Sequence, residues 1–572
     1  MLARATWSVA EVDTAQTESL ARDLKISNPV ARCLVLRGLR DAPSVRSFLD
    51  PRLADLSRPD GMADLEVAAD RTARAVIRGE RVGVFGDYDV DGVTSAALVT
   101  GFLGEVGAST ETVVADRFSG GYGLGAEVVE RLASAGCTLL IAVDCGSSDH
   151  RAVDRASELG VDVVIVDHHR VEAPLPKVVA CINPQREDCG FADKTMAAVG
   201  LAFYFVAAVR NALERRRHIE RKAVDPRWFL DLVALGTVAD VMPLVGNNRI
   251  LVAHGLRQIS TSPRPGLTAL LRTARVRARK IRTDHIAYQL APRLNAAGRV
   301  ASAEDALALL LTRDARQTKR LAERLKQHTV QRRSVEEQVT IEARRKAEDA
   351  LRDDPPVLVV GGDGWHRGVL GIVAARLSEE YGRPAFVVGF EGDVGTGSAR
   401  AQGQLNLFAT LNACAAELVR FGGHGEAAGF VVTREAFERV ARAIADHARS
   451  VAVVPKARSL VCDASIPARQ LNATILGELE GIGPFGNGNP EPVFEITGLD
   501  VLEARVVGGS HLKLELKTPT GTVSAFGPRM GDLAAHLPPL VRVAATISAD
   551  EWRGGDVPGL RLVSSPIAEI AP

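Results

Sequence analysis

Gly86-Asp87-Tyr88-Asp89-Val90-Asp91-Gly92 sets three carboxylates at alternating positions between two glycines. Acids this close repel one another unless a cation sits among them, so the segment reads as a set of hard oxygen ligands. Its opening matches an EF-hand loop, but Leu98 stands at the twelfth position, where that loop needs a bidentate Glu. A strand rather than a helix also precedes it. Similar residues follow two later apolar runs, in Val143-Asp144-Cys145-Gly146 and Val166-Asp167-His168-His169, and Asp240 closes Leu235-Gly236-Thr237-Val238-Ala239-Asp240. Each alone reads as a cap or a turn. Together Asp87, Asp89, Asp144, His168 and Asp240 are expected on one edge of one sheet, the carboxyl edge, where open α/β folds place their sites. Carboxylates with few imidazoles favour Mg2+ or Mn2+ over zinc. These acids exceed what one divalent ion needs, which points to two ions bridged by a shared carboxylate. His168 and His169 are not expected to face one ion together: one ligates, the other stands behind it or near the scissile group. Gly481–Gly486 fits G-x-G-x-x-G literally, but Pro484 and Pro490 prevent a helix from opening there. There is no P-loop sequence, hence no reason to invoke ATP.

The elements that must position these residues alternate. Helical spacing over 62–78, a strand at 81–85, a helix from Thr94 to about Leu103, a strand at 138–143, a helix at 151–159 and a strand at 161–166 spell a parallel α/β sheet. Residues 1–60, punctuated by Pro29, Pro43, Pro51 and Pro59, read as an N-terminal cap segment, and 61–303 as the catalytic α/β domain. Residues 304–354 contain a long charged run without Gly or Pro that ends before Pro355-Pro356, one or two connecting helices acting as a strut. A smaller α/β domain fills 355–455. After a linker at Pro455-Lys456, residues 456–572 read as short strands at 501–507, 512–516, 522–526 and 541–547, a small β-barrel.

The chain has 572 residues with 70 basic and 70 acidic side chains, which taken whole discourages a polyanionic partner. Residues 205–350, however, carry 29 Lys and Arg against 15 Asp and Glu, a basic belt suited to a polyanion held in one place. Only 11 of the cations in the chain are lysines, and arginine forks suit phosphate. Residues 459–572 are net acidic, 8 against 13, with few aromatics for base stacking (Phe485, Phe494, Phe526, Trp552). Seven scattered cysteines without a C-x-x-C pair argue for a reducing, cytoplasmic setting. No apolar run reaches the ~18 residues of a membrane span, and none stands near Met1 as a secretory signal would require.

The GDYDVDG, VDCG, Val166–His169 and ALGTVADVMPL segments, in that order, resemble the signature of the DHH phosphoesterase superfamily. Ala291-Pro292-Arg293-Leu294-Asn295-Ala296-Ala297-Gly298-Arg299 is similar to the motif of its RecJ branch of single-strand-specific exonucleases. Gly395–Arg400 and Phe421–Gly425 resemble the DHH-associated domain, and 483–492 the opening of the RecJ oligonucleotide-binding (OB) fold. The resemblance implies that Asp87, Asp89, Asp144, Asp240 and His168 hold two Mn2+ or Mg2+ ions, with Asp144, His168 and His169 catalytic and His169 assisting at the phosphate. It implies that Arg117, just before Gly120-Gly121-Tyr122-Gly123, grips a 5′-phosphate together with Ser398 and Arg400, that Arg299 steers the first nucleotides, and that His424 belongs to the substrate site. The activity implied is 5′→3′ degradation of single-stranded DNA to 5′-mononucleotides in recombination and repair, through a narrow channel that excludes duplex. Single-strand-binding protein and a helicase are the implied partners. Phe85 departs from the pattern, since many DHH enzymes carry a metal-ligating histidine there. The alternatives are a DHH phosphoesterase for cyclic dinucleotides or short oligonucleotides, which would need no OB fold or basic belt, and a non-catalytic DNA-binding scaffold, which would have lost ligands.

Overall fold

The computed structural model describes residues 7–117, 123–171, 174–401, 403, 405–451, 460–565 and 567–568. Gly120, Gly121, Tyr122, Pro455 and Lys456, singled out above, lie outside the described residues. The chain divides into two compact units. One comprises Met1–Asn295, Ala303–Ala322 and Ser459–Pro572, and the other Ala296–Ser302 and Glu323–Arg458.

The first unit holds a five-stranded, wholly parallel sheet in the order Ser109–Val114, Arg81–Gly86, Cys137–Val143, Asp162–Val166, Ala180–Ile182. The middle strands are runs of Val, Ile, Leu and Ala buried on both faces, as a sheet covered by helices requires. One face is sealed by Val129, Leu132, Val153 and Ala156 from the helices Ala126–Ser134 and His150–Glu158, and Phe85 is packed wholly within this apolar layer. The helices Leu65–Arg78, Val90–Glu105 and Ala198–Arg215 supply further buried residues of this domain. Strand order reverses between Arg81–Gly86 and Cys137–Val143, so their carboxyl ends flank a topological switch point, the usual ligand crevice of a doubly wound sheet.

The sequence pattern missed Ser109–Val114, whose STETVV text is polar because it is an edge strand buried mainly at its carboxyl end. The helix expected from Thr94 begins at Val90, because Asp89 caps it by accepting the Gly92 N–H at 3.0 Å.

The C-terminal strands form the expected OB-like barrel. Phe494–Val507 pairs with both His511–Thr518 and Leu540–Ala549, and Gly521–Gly527 and Pro558–Leu562 complete the closure. The three helices Thr14–Leu24, Asn28–Leu36 and Ala42–Leu49 do not stand alone. Leu20, Val30, Leu34 and Val45 share one core with Ile466, Phe494, Leu514 and Val543 of the barrel, and Trp7–Val9 pairs in parallel with Leu460–Cys462. Helices this short cannot bury their apolar stripes by themselves.

In the second unit a mixed five-stranded sheet runs Arg420–Gly423, Ala427–Thr433, Val394–Arg400, Ala385–Glu391, Leu358–Asp363, with only the last two parallel. The charged run of the sequence forms the helices Glu304–Leu311 and Ala315–Ala350, and the division between units falls inside the second. The seven cysteines are free and buried. Among the described residues no helix is long and apolar enough to cross a membrane.

Candidate metal centre

Each acid reaches the switch point for a local reason. Asp87 follows the strand Arg81–Gly86 and is kept tight against the next helix by two glycines: a Cβ at Gly86 would stand 2.6 Å from Gly92 O, and one at Gly92 would stand 2.5 Å from Asp87 O. Asp89 caps that helix with one carboxylate oxygen while facing its neighbours, so capping and ligation coexist in one residue. Asp144, after Cys137–Val143, takes the left-handed backbone at φ 63°, a conformation uncommon for residues other than glycine. Asp240 ends the helix Leu230–Ala239.

Asp87, Asp89 and Asp144 offer oxygens within 4.8 Å of one another, and so do the ligand atoms of Asp144, His168 and His169 and those of Asp91, His168 and Asp240. His168 Nε2 lies 3.3 Å from Asp144 Oδ1 and 3.6 Å from Asp240 Oδ2. Asp87 Oδ1, Asp144 Oδ1 and Asp240 Oδ2 are buried, and none has a hydrogen-bond partner among the described residues. Burying a carboxylate oxygen unpaired is strongly unfavourable, so an orphaned set that converges fits a divalent cation rather than a structural network.

The titration pattern follows from that crowding. Burial, then Asp89, pushes Asp87 up to about 8. Burial, then Asp91 and Asp89, pushes Asp240 up to about 9. Asp144 is raised well above the carboxylate range by burial and by the other acids.

The two histidines differ. His168 is driven down to about 4 by burial and by its neighbour His169, which leaves it neutral and able to ligate. Burial, the largest single influence, lowers His169 too, but the hydrogen bond and charge of Asp167 together with the charges of Asp240 and Asp89 outweigh it and hold the imidazole up at about 9. Both imidazoles reach Asp144, His168 Nε2 at 3.3 Å and His169 Nδ1 at 4.0 Å. The chain leaves the extended conformation after Val166, and the two rings meet edge to face with centroids 4.6 Å apart.

The sequence pattern marks Asp91 and Asp167 as acids near the site but leaves both out of the expected metal set. Asp91 is buried and accepts the N–H groups of Ala198 and Val199 at 2.8 and 3.0 Å, anchoring the start of the helix Ala198–Arg215 beneath the cluster. Asp167 accepts from the backbone of His168 and Ser147 and bonds His169 Nδ1 at 2.8 Å, which fixes that ring. Burial opposes its charge, yet these bonds, His169 foremost, keep it ionised. Asn183 completes the scaffold by donating to Ser147 Oγ and His169 O, each at 2.9 Å. A carboxylate directly before a His pair was the available signal, since ligating imidazoles need an orienting partner.

Arg117, beyond the strand Ser109–Val114, stacks its guanidinium over Tyr88 at 4.2 Å, and its buried Nε has no hydrogen-bond partner among the described residues. The other anticipated substrate residues lie in the second unit. Ser398 and Arg400 stand two apart on Val394–Arg400, and Arg400 donates to Ser398 Oγ at 3.2 Å and Ala399 O at 2.8 Å. Both border the first turn of the helix Leu370–Tyr381, where a Cβ at Gly371 would lie 3.0 Å from Arg400 and 3.1 Å from Ser398 Oγ. His424 is exposed between the strands Arg420–Gly423 and Ala427–Thr433. Arg299 donates to Gly368 O at 3.1 Å.

Three family models match the chain: the DHH family N-terminal domain over residues 81–237, the DHHA1 domain over 354–450 and the RecJ OB domain over 462–564. The single-stranded-DNA-specific exonuclease RecJ of Dickeya dadantii is 34% identical over 550 residues, covering 91% of this chain and 93% of that one. The chain belongs to the RecJ family. The RecJ of Bacillus subtilis is 31% identical over 574 residues, 98% of this chain and 71% of the relative. The crystal structure of RecJ in complex with Mn2+ from Thermus thermophilus matches with a TM-score of 0.82 at 30% identity, over 100% of this chain and 81% of that one. The family's DHH domain contains the whole acid cluster except Asp240, which stands just past its matched end.

Proposed function

We propose that this chain is a divalent-cation-dependent exonuclease that degrades single-stranded DNA from the 5′ end to 5′-mononucleotides. The observation that carries the reading is the convergence of buried, unpartnered oxygens of Asp87, Asp144 and Asp240 at the sheet's switch point. Asp87, Asp89, Asp144, Asp240 and His168 would hold two Mn2+ or Mg2+ ions, in keeping with the Mn2+ and Mg2+ in the Thermus thermophilus RecJ structures. Bound there, the ions supply an activated water and charge neutralisation for an in-line attack on phosphorus. His169, held protonated by Asp167, hydrogen-bonds a phosphate oxygen or hands a proton to the leaving oxygen.

Ser398, Arg400 and the start of the helix Leu370–Tyr381 form an anion-accepting surface that we assign to the terminal 5′-phosphate. Arg117 is assigned to the strand's phosphates, Arg299 to its first nucleotides and His424 to the substrate site. Binding the end fixes the direction of digestion. Single-strand-binding protein and a helicase are proposed as partners because both deliver or expose unpaired strand.

The test is a time course on 5′- and 3′-labelled single-stranded and duplex DNA with Mn2+, with Mg2+ and with EDTA. Mononucleotide release from the 5′ end of the single strand alone, abolished by EDTA, is expected. Faster cleavage of a dinucleotide than of a long strand would replace this reading by a small-substrate phosphoesterase.

A further inference from the structure

Asp240 is carried by a turn whose backbone is held from outside the parallel-sheet domain. After the helix Leu230–Ala239 and Asp240, Val241 takes φ 57°, a left-handed conformation that a β-branched residue rarely adopts. Met242 N–H closes the helix end by donating to Thr237 O at 3.2 Å, a pattern in which glycine usually fills the position of Val241. Such a conformation persists only where surrounding contacts over-determine it.

Those contacts come from residues 483–490, the segment leading into the barrel. Asn487 Nδ2 donates to Val241 O at 2.9 Å, and Leu244 N–H donates to Asn487 O at 2.7 Å. Two glycines allow the approach: a Cβ at Gly486 would stand 2.7 Å from Leu244 Cδ1, and one at Gly488 would stand 3.1 Å from Pro243 Cβ. The segment is itself braced. Gly486 and Asn489 exchange backbone hydrogen bonds of 2.9 and 3.1 Å, and buried Asn489 donates to Ile482 O and Pro484 O while accepting Arg37 Nε at 2.8 Å.

We infer that Asn487 is a positioning residue for the metal centre: it clamps the Val241 turn in its left-handed form and so sets where the Asp240 carboxylate stands. The C-terminal domain is then a working part of the catalytic site, whatever it does with DNA. Asn487 touches neither cation nor substrate, and the inference rests on the metal reading above.

The experiment titrates the full, metal-free chain with MnCl2 by calorimetry and follows hydrogen exchange at the amides of 241–244 without metal. Asn487→Ala removes one donor at an exposed position and is expected to speed exchange in that turn and weaken Mn2+ binding about three- to tenfold. Asn487→Asp, of the same size but without the donor, is expected to do the same. Adding Val241→Gly to either variant is expected to recover most of the affinity, because glycine holds the left-handed form without a clamp. A residue that only stabilises the fold would lower the melting temperature while leaving Mn2+ affinity unchanged and unrescued by Val241→Gly, and that result overturns the inference. The metal reading fails in a different way, by absence of Mn2+ binding to the unsubstituted chain.

Discussion

At the carboxyl ends of the parallel sheet the chain gathers buried acids that satisfy neither one another nor themselves; on the mixed sheet of the second unit it offers Ser398 and Arg400 beside a helix start. Asp87 and Asp240 are raised in pKa, and Asp87 Oδ1, Asp144 Oδ1 and Asp240 Oδ2 have no hydrogen-bond partner among the described residues. Arg400, by contrast, is already hydrogen-bonded to Ser398 and Ala399. The first region is therefore incomplete without a cation and stores repulsion until one binds. The second is complete as folded and gains only affinity from an anion. On the proposed assignment, chemistry and end recognition are separable, with different sensitivities to metal, to salt and to mutation.

The sharpest break falls on Asp144, which belongs to two of the three candidate ligand groups. Asp144→Ala should lower mononucleotide release by about 10³-fold or more, since it removes charge stabilisation where charge develops. It should also abolish tight Mn2+ binding while leaving the metal-free fold intact or firmer. Full nuclease activity in Mn2+ would show that Asp144 is not part of the catalytic metal site.

Arg400→Ala tests the other side. Losing charge-assisted hydrogen bonds to a terminal phosphate should raise KM for 5′-phosphorylated strands roughly 10- to 100-fold with little change in kcat. Mn2+ affinity should match that of the parent. The measurement is a comparison of 5′-phosphate with 5′-hydroxyl strands, and the preference between them should vanish in the variant. A preference that survives would remove Arg400 from the site.

Much of this contrast was legible in the sequence, for a physical reason. A parallel strand buried on both faces writes itself as an apolar run, so the residue just after the run, Asp87, Asp144 or Asp167, is marked as a strand-end group. Asp240 is marked less clearly, because it follows a helix rather than an apolar strand. What the text hid was pairing. Asp91 anchoring Ala198 and Asp167 orienting His169 are relations between a side chain and a backbone or ring, and spacing does not encode them. The merging of the N-terminal helices with the barrel was hidden likewise, since residues such as Leu34 and Phe494 are brought together by tertiary packing alone.

Asp167→Asn sharpens the comparison within the first region. It keeps an oxygen for the backbone donors but removes the charge that holds His169 up at about 9. The imidazole should then lose its proton nearer its ordinary value of about 6.5, and the alkaline limb of the rate profile should move down with it. At neutral pH the rate should fall by about fourfold, the loss of protonated imidazole when its pKa moves from about 9 to about 6.5. An unchanged pH profile would mean that His169 works without its proton.

The smallest effect is on stability, and it separates the two regions without any substrate. A carboxyl whose pKa rises from 3.8 to about 8 in Asp87, to about 9 in Asp240 or to about 7 in Asp91 keeps its proton in the folded chain after the unfolded chain has lost it. Its contribution is complete below the unfolded value and disappears as pH climbs through the folded one, so the metal-free protein should melt lower as pH rises between about 4 and 9. His169, raised from 6.5 to about 9, acts in the same direction; His168, lowered to about 4, opposes it only between about 4 and 6.5. A divalent cation takes over the role of the retained protons. The gain in melting temperature on replacing EDTA with Mn2+ should therefore be larger near pH 8.5 than near pH 5.5, by roughly 3–5 °C. Arg400→Ala should preserve this difference and Asp144→Ala should flatten it, because only the second change touches the crowded acids. An equal gain at both pH values would show that the cation binds elsewhere, and the contrast between the two regions would lose its electrostatic basis.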